Sequence, residues 1–252
     1  MIIFVRNDNF AGMNNQQVIL ITGTSSGIGL GLAKAYLDQG HIVYGISRRE
    51  AENLSQFNDY QHLQLDLTDY DLLKETIPAF LKYIKSLDLL ILNAGILGDI
   101  KWMSEIDVKG MKKVMEINVW SNKVLLDLMF KMDIKIKQVV GISSKAALRS
   151  TPGWGPYSMS KAGLDMLINI YAQEHTDTHF TALAPGLVDS GIQETIYHIK
   201  ETDKYPTIKR LQDARYTEEM PDAEKAAPML IEGINKALTY ESGSHLDVRE
   251  ME

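Results

Sequence analysis

The chain of 252 residues contains no cysteine, which excludes disulfide bonds and thiolate metal ligands. Its six histidines show no spacing typical of metal ligands, so the sequence predicts no metal site. No apolar run approaches the ~20 residues that a membrane-spanning helix requires. A net charge of −7 argues against binding to nucleic acids or to acidic membranes. The sequence contains 45% hydrophobic and 23% charged residues, which is the composition of an ordinary globular protein.

The amino terminus does not resemble a targeting segment. Its apolar run, residues 1–5, is shorter than the core of a signal peptide, and no small-residue cleavage site follows it. We therefore expect a cytoplasmic location. Met13 is an alternative start to Met1, and residues 1–16 are interpreted as an extension before the first strand.

Apolar runs alternate with helical stretches along the rest of the chain. Strands are predicted at residues 18–22, 42–47, 62–65, 87–93, 138–143, 180–184 and 245–248, and helices around 27–39, 69–86, 108–132, 157–175 and 222–240. The runs are apolar throughout, as expected for strands covered on both faces. This order predicts an α/β fold in one domain, residues 17–252. We expect a Rossmann-like, doubly wound parallel sheet of about seven strands with helices on both faces.

A glycine-rich turn, Thr22-Gly-Thr-Ser-Ser-Gly-Ile-Gly29, follows the first predicted strand and opens the first helix. Glycines allow a tight turn and bring backbone N–H groups close to a pyrophosphate, and a helix N-terminus favours negative charge. Nucleotide-binding loops lie at this place in a strand–turn–helix unit. We predict that the cofactor is bound here by Gly23, Ser25, Ser26, Gly27, Ile28 and Gly29.

Tyr157 and Lys161 lie four residues apart, so on a helix their side chains share one face. The same spacing occurs twice more in the chain. Only this copy has a serine, Ser144, thirteen residues earlier and at the end of a predicted strand. The ammonium is expected to lower the pKa of the phenol from its ordinary value of about 10. Such a phenol can exchange a proton with a carbonyl or alcohol oxygen, which predicts a carbonyl-handling enzyme.

The second predicted strand ends at Ser47 and is followed by Arg48 and Arg49. In a dinucleotide-binding fold this corner meets the adenosine ribose, where an acid would accept a hydrogen bond from the 2′-hydroxyl. No acid occupies the strand end, and guanidinium groups suit a 2′-phosphate. The sequence therefore predicts NADP(H) as the cofactor, contacted by Ser47, Arg48 and Arg49, with Arg48 the stronger candidate of the two arginines.

Together these motifs resemble the short-chain dehydrogenase/reductase family over about residues 18–248. Further motifs that carry the resemblance are Asp66 after the third strand, Asn93-Ala94-Gly95 after the fourth, Asn118 in Ile-Asn-Val, and Pro185-Gly186 after the sixth. The resemblance implies an oxidoreductase that transfers hydride between a nicotinamide cofactor and a small carbonyl or alcohol substrate. It also implies a single-domain carbonyl reductase type.

The same resemblance implies where the cofactor lies. Asp66 and Leu67 are expected to flank the adenine, and Asn93, Ala94 and Gly95 to support the middle of the cofactor. Four residues are expected at the nicotinamide end: Pro185, Gly186, Val188 and Ser190. Ser190 stands where the family usually has threonine, which keeps the hydroxyl.

The resemblance further implies catalytic roles for four residues. Tyr157 is expected to protonate the carbonyl oxygen, while Ser144 holds that oxygen by a hydrogen bond. Lys161 is expected to lower the pKa of Tyr157 and to bind the nicotinamide ribose. Asn118 is expected to help anchor a water that relays protons to Lys161.

Residues 187–221 contain scattered apolar and aromatic side chains and are interpreted as a lid over the substrate. They favour a modest apolar ketone or aldehyde. Because relatives form dimers or tetramers, a homodimer or homotetramer is expected. Two alternatives stay open. One is an NADP-binding regulatory protein without turnover. The other is a signalling protein like C-factor, with incidental reductase activity.

Overall fold

Seven strands form one sheet in the computed structural model, which describes residues 16–251. They are β1 (Val18–Thr22), β2 (Ile42–Ser47), β3 (Tyr60–Gln64), β4 (Ser86–Leu92), β5 (Lys135–Ile142), β6 (His179–Ala184) and β7 (Ser244–Asp247). The spatial order is β3-β2-β1-β4-β5-β6-β7, and every neighbouring pair is parallel. The chain thus builds outward from β1 to one edge and then returns to build from β4 to the other. The carboxyl ends of β1 and β4 diverge at this reversal, where α/β folds bind their ligands.

Helices cover both faces of the sheet. They are α1 (Gly27–Asp38), α2 (Tyr70–Phe80), α3 (Val108–Met115), α4 (Ser121–Lys131), α5 (Gly155–Glu174), α6 (Gly191–Tyr197), α7 (Pro206–Ala214) and α8 (Ala223–Ala237). Three begin at aspartates that accept hydrogen bonds from backbone N–H groups of the first turn: Asp69 before α2, Asp107 before α3 and Asp222 before α8. Among the helices of residues 16–251, none has the length and apolar character needed to cross a membrane.

The alternation of side chains along β1 separates two cores. Ile19 and Ile21 point to the face covered by α1 and α8, where they belong to one cluster with Leu32 and Ile234. Leu20 points to the opposite face, covered by α2, α4 and α5. A third apolar cluster lies over the carboxyl ends of the strands and includes residues from α6 and α7. Both faces of the sheet are therefore buried, which explains why the strands read as uninterrupted apolar runs.

The predicted fold class is confirmed, and the differences concern individual elements. The predicted helix at 108–132 is divided into α3 and α4 by one π-helical turn, Glu116–Trp120. β3 begins two residues earlier than predicted, because pairing with β2 recruits Tyr60 and Gln61. The segment 187–221 contains two helices, α6 and α7. Of the predicted extension, residues 1–15 and with them Met1 and Met13 lie outside the described residues.

Candidate active site

A cleft of ≈ 500 Å³ opens at the carboxyl ends of the strands, beside the reversal of strand order. Its walls contain most of the predicted site residues: Gly23, Ser25, Ser26, Gly27, Ile28, Ser47, Arg48, Asp66, Leu67, Asn93, Ala94, Gly95, Ser144, Tyr157, Lys161, Pro185, Gly186, Val188 and Ser190. Three predicted residues do not form its walls: Gly29, Arg49 and Asn118. The cleft is long enough to join the end of β2 to the start of α5.

Two positions in the glycine-rich turn require glycine, one because of its backbone angle and one because of tight packing. Gly23 has φ +78°, a conformation that side chains other than glycine rarely adopt. A Cβ on Gly29 would lie 2.4 Å from both the Asn93 Nδ2 and the Gly23 carbonyl oxygen, so Gly29 lets α1 pack against the turn and does not reach the cleft. Ser26 precedes α1 without capping it by its side chain, which leaves the first N–H groups of the helix free for an anion.

The corner after β2 is held by hydrogen bonds around Ser47. Its hydroxyl donates to the Arg49 carbonyl at 2.7 Å, so the His62 Nε2 must donate to the Ser47 oxygen at 2.9 Å. Arg48 lines the cleft near Asp66, and Arg49 is exposed outside it. Hydrogen bonds from the Thr68 backbone, together with its hydroxyl and the charge of Arg48, lower the pKa of Asp66. Of the two arginines predicted at the ribose, only Arg48 is placed to contact a ligand.

Hydrogen bonds connect the turn after β4 to the end of β1. The backbone N–H groups of Asn93 and Ala94 both donate to the Thr22 hydroxyl oxygen, at 2.9 and 3.0 Å. The Asn93 amide donates to the Thr22 carbonyl at 2.9 Å. These bonds fix the Asn93-Ala94-Gly95 turn as part of the cleft wall, between the two ends of the site.

Asn118 lies in the π-helical turn between α3 and α4 and is fully buried. Its Oδ1 accepts from the Ile96 N–H at 2.8 Å, and its Nδ2 donates to the Ile96 carbonyl and the Ser160 hydroxyl at 2.9 Å each. The side chain therefore ties the β4 turn to α5 and stands behind the cleft wall. A π-helical turn is an irregularity that is frequent at functional sites.

Ser144, Tyr157 and Lys161 converge at the end of β5. The Tyr157 side chain lies beside Ser144, which acts to lower the Tyr157 pKa, and the Ser144 oxygen accepts from the Ala146 N–H at 3.1 Å. The Lys161 Nζ donates to the Ile142 carbonyl at 2.7 Å and lies 5.6 Å from the Tyr157 ring centroid. Tyr157 is 7% exposed and Lys161 4%. The three predicted catalytic groups thus share one buried corner of the cleft.

The predicted direction of the Tyr157 pKa is wrong. Burial raises the pKa of Tyr157 to about 12, and the neighbouring Ser144 offsets only part of this rise. Burial also lowers the pKa of Lys161 to about 8, against the opposing charge of Asp165. Removal from water disfavours the charged form of both groups, and the lysine ammonium donates to a backbone carbonyl. The tyrosine is therefore a neutral phenol at neutral pH.

The predicted nicotinamide end of the site follows β6. Pro185, Gly186 and Val188 line the cleft, and Ser190 precedes α6 without capping it. Residues from the third apolar cluster complete the walls here: Leu97, Trp154, Ile196 and Leu211. The Trp154 ring packs edge-on against Tyr157 with centroids 5.9 Å apart. This half of the cleft is consequently apolar on the side of α6 and α7.

Sequence reasoning missed three charged residues that also line the cleft, Lys145, Asp247 and Arg249. The Asp247 carboxylate pairs with the Lys145 ammonium at 3.1 Å and accepts from the Arg249 guanidinium at 2.9 and 3.1 Å. No local motif marks these residues, because β7 brings the C-terminal segment beside β6 only in the folded sheet. Within the described part of the chain, no three His, Asp or Glu side chains converge on a possible metal position.

The comparisons with known proteins agree with this geometry. The sequence model of the short chain dehydrogenase family matches residues 17–201. This chain belongs to the short-chain dehydrogenase/reductase family.

Two curated relatives and one solved structure illustrate that membership of the short-chain dehydrogenase/reductase family. An uncharacterized oxidoreductase from Saccharomyces cerevisiae is 34% identical over 187 residues, covering 71% of this chain and 74% of that protein. Benzil reductase ((S)-benzoin forming) from Bacillus subtilis is 29% identical over 248 residues, covering 93% and 99%. A crystal structure of a short-chain dehydrogenase/reductase from S. cerevisiae has a TM-score of 0.81 at 28% identity, covering 93% of this chain and 96% of that one.

Members of the short-chain dehydrogenase/reductase family are oxidoreductases that use a nicotinamide cofactor and act on small molecules. The residues of this chain fit such a cofactor on structural grounds. The uncapped first turn of α1 suits its pyrophosphate, and the cleft extends from there to both Arg48 and Tyr157.

Proposed function

We propose that this protein is an NADPH-dependent oxidoreductase that reduces a ketone or aldehyde carbonyl to an alcohol, with Tyr157 as the general acid. The observation that carries the proposal is that Ser144, Tyr157 and Lys161 lie together in the wall of one cleft, with Tyr157 and Lys161 buried. A phenol whose pKa is raised to about 12 holds its proton at neutral pH, as an acid must before it donates.

The chain's own residues would act in the following way. NADPH, when bound, supplies the hydride that reaches the carbonyl carbon. Ser144 donates a hydrogen bond to the substrate oxygen and orients it toward Tyr157. The Tyr157 O–H bond breaks as its proton passes to that oxygen, which becomes the alcohol hydroxyl. The Lys161 ammonium stabilises the phenolate that remains and binds the nicotinamide ribose, while Asn118 positions α5 through Ser160.

The preference for NADPH over NADH rests on Arg48. It lines the cleft at the end of β2, where the adenosine ribose is expected, and it can donate two parallel hydrogen bonds to a 2′-phosphate. Asp66 and Leu67 form the adjoining wall for the adenine.

A compact apolar carbonyl compound suits the substrate half of the cleft. Leu97, Trp154, Ile196 and Leu211 supply an apolar wall, and the Trp154 ring packs against Tyr157. The relative from B. subtilis is a benzil reductase, which reduces one carbonyl of an aromatic diketone. We therefore propose aryl ketones and diketones as the substrate class, with residues 187–221 as the lid.

The proposal extends to the organisation of the protein. Residues 17–252 form one domain, the protein assembles as a homodimer or homotetramer, and it acts in the cytoplasm. Size-exclusion chromatography with light scattering tests the assembly, and a monomer at micromolar concentration would contradict it.

The decisive experiment measures oxidation of NADPH and of NADH with a panel of ketones, diketones and aldehydes, for the natural protein and for Tyr157→Phe. We expect Tyr157→Phe to lower kcat by at least about 100-fold, the effect of a lost general acid, without weakening NADPH binding. Tyr171→Phe is the matched control, because Tyr171 is also a buried tyrosine of α5 but donates to Asp127 outside the cleft.

Two results would count against the proposal. A kcat for Tyr157→Phe within tenfold of the natural protein removes the acid assignment. Tight NADPH binding without turnover of any carbonyl compound favours the regulatory alternative.

A further inference from the structure

Ser143 in the cleft wall and two residues behind it, Asp165 and His245, form a polar network that the catalytic proposal does not use. The Ser143 hydroxyl donates to the Asp165 Oδ1, and the His245 Nδ1 lies 2.7 Å from the Asp165 Oδ2. The Asp165 and His245 side chains are each only 15% exposed. These three side chains connect the end of β5, the middle of α5 and β7.

The donors and acceptors among Ser143, Asp165 and His245 can be assigned from their chemistry. A carboxylate only accepts, so both the Ser143 oxygen and the His245 Nδ1 must donate to Asp165. The His245 Nε2 is buried and has no hydrogen-bond partner. Both oxygens of Asp165 are therefore held by donors from two different strands, which fixes the position of its negative charge.

That charge lies one helical turn from Lys161, since residues four apart share a helix face. Lys161 donates to the carbonyl of Ile142, the residue directly before Ser143. Among the described residues, Lys161 forms no ion pair of its own. Asp165 is the acid whose charge opposes the effect of burial on the lysine pKa.

We propose that Asp165 is a positioning residue whose carboxylate, held by Ser143 and His245, keeps the buried Lys161 protonated. The consequence for catalysis rests on the proposed function, but the effect on Lys161 does not. Without the carboxylate, the ammonium would lie in a buried corner with a neutral phenol, an amide and a backbone carbonyl as its polar neighbours.

The other charged groups around this corner are already paired. On β7 and the residues after it, Asp247 binds Lys145 and Arg249, and Glu250 binds Lys145 at 2.6 Å. On the side of β4, Gly95 and Asn118 approach Lys161 without carrying charge. His245 faces Asp165 from β7 and donates to it through Nδ1.

The test follows the titration of Lys161 directly, in protein labelled with ¹³C-lysine and measured by NMR without cofactor. Its signal is assigned by its loss in Lys161→Arg. We expect the apparent pKa of Lys161 to lie near 8 in the natural protein and to fall by about one unit in Asp165→Asn, the low end of the effect of a nearby opposite charge. In Asp165→Asn, the decline of kcat/KM at alkaline pH should move to lower pH by the same amount.

Asp127→Asn is the matched control. Asp127 is a carboxylate on α4 that also has two side-chain partners, Tyr171 at 2.6 Å and Lys123 at 2.5 Å, outside the cleft. We expect it to leave the titration of Lys161 unchanged. If Asp165→Asn does not fold, Asp165→Ser is the second variant, because it also removes the charge and retains a hydroxyl for hydrogen bonding.

An unchanged Lys161 titration in the folded Asp165 variant overturns the inference, whatever happens to stability. A fall of equal size in Asp127→Asn overturns it as well, because the effect would then be general. If the natural protein shows the expected titration but no turnover, the proposed function fails and the role of Asp165 stands.

Discussion

Arg48 stands where β2 ends, in the wall of the cleft, while its neighbour Arg49 is exposed outside it. Two adjacent residues of the same type thus have different surroundings, and this difference makes the proposed cofactor preference testable. A guanidinium that binds a phosphate forms charged hydrogen bonds, each worth about 1.5–3 kcal/mol.

We expect Arg48→Ala to raise the KM for NADPH about 10- to 100-fold and to leave the KM for NADH nearly unchanged, because only NADPH carries the 2′-phosphate. Arg49→Ala is the matched control and should affect neither cofactor by more than about twofold. The comparison needs initial rates with both cofactors at one substrate concentration. Equal increases for NADPH and NADH would remove the 2′-phosphate argument.

Single residues also determine how the rate of carbonyl reduction depends on pH. Burial lowers the pKa of Lys161 to about 8, so the ammonium is present below that pH and is lost above it. Burial raises the pKa of Tyr157 to about 12, so the phenol keeps its proton throughout this range. Of these two groups, only Lys161 changes charge between pH 7 and 10.

We therefore expect kcat/KM for carbonyl reduction to fall about tenfold per pH unit above pH 8, because a single proton is lost. Lys161→Arg should lack this decline whatever its absolute activity, since a guanidinium stays charged. A rate profile in buffers from pH 6 to 10 distinguishes the two. A natural enzyme with constant kcat/KM up to pH 10 would show that the charge of Lys161 is not needed.

One arginine connects the elements of the proposed lid, residues 187–221. Arg215, just after α7, binds Asp189 in the loop after β6 at 3.0 Å and Glu194 on α6 at 2.5 Å. Its guanidinium lies against the rings of both Tyr197 and Tyr216, 4.9 and 4.8 Å from their centroids, and the two rings also pack against each other. The Arg215 side chain is 8% exposed and that of Asp189 18%, so this ion pair is largely shielded from water. Arg215 therefore connects α6, α7 and the loop that leads to Ser190.

We expect Arg215→Ala to release this connection, because Asp189 and Glu194 lose their ion pairs with Arg215 and the two rings lose their contact with the guanidinium. Limited proteolysis should cleave within residues 190–220 several-fold faster, and the KM for substrate should rise while kcat changes less. Arg210→Ala is the control, since Arg210 is on α7 but its pair with Glu219 is exposed. Similar cleavage rates in the two variants would contradict a specific role for Arg215.

The whole molecule is organised by one continuous sheet that includes β7 near the C-terminus. Its two cores lie on opposite faces of the same strands, as Ile19 and Leu20 of β1 illustrate. Neither core can form without the sheet, so we expect a single cooperative unit rather than separable parts.

We expect thermal unfolding followed by far-UV circular dichroism and by tryptophan fluorescence to give coincident midpoints. Trp154 lies in the third cluster with residues of α6 and α7, and Trp120 lies at the end of the π-helical turn, so the fluorescence reports on different regions. Two resolved transitions would show that the lid or another part unfolds independently, against the single-domain proposal.

Sequence reasoning succeeded where the pattern was local. The glycine-rich turn and the Tyr157–Lys161 spacing lie within one turn or one helix, and uninterrupted apolar runs indicated strands buried on both faces. It was less accurate where tertiary contacts decide the backbone. The π-helical turn around Asn118 has the same residue pattern as an α-helix, and its bonds to Ile96 and Ser160 come from distant parts of the chain.

The sequence by itself determined the fold class and the family, and it placed Tyr157 and Lys161 on one face of a helix, because these depend on periodicity and short spacings along one chain. Only the tertiary structure decided that Asp165 meets His245 across 80 residues, and that Lys145 meets Asp247. It also decided the direction of the pKa of Tyr157, because that direction depends on how completely the surrounding atoms exclude water. Burial is a property of the packed molecule, and no spacing along the chain encodes its extent.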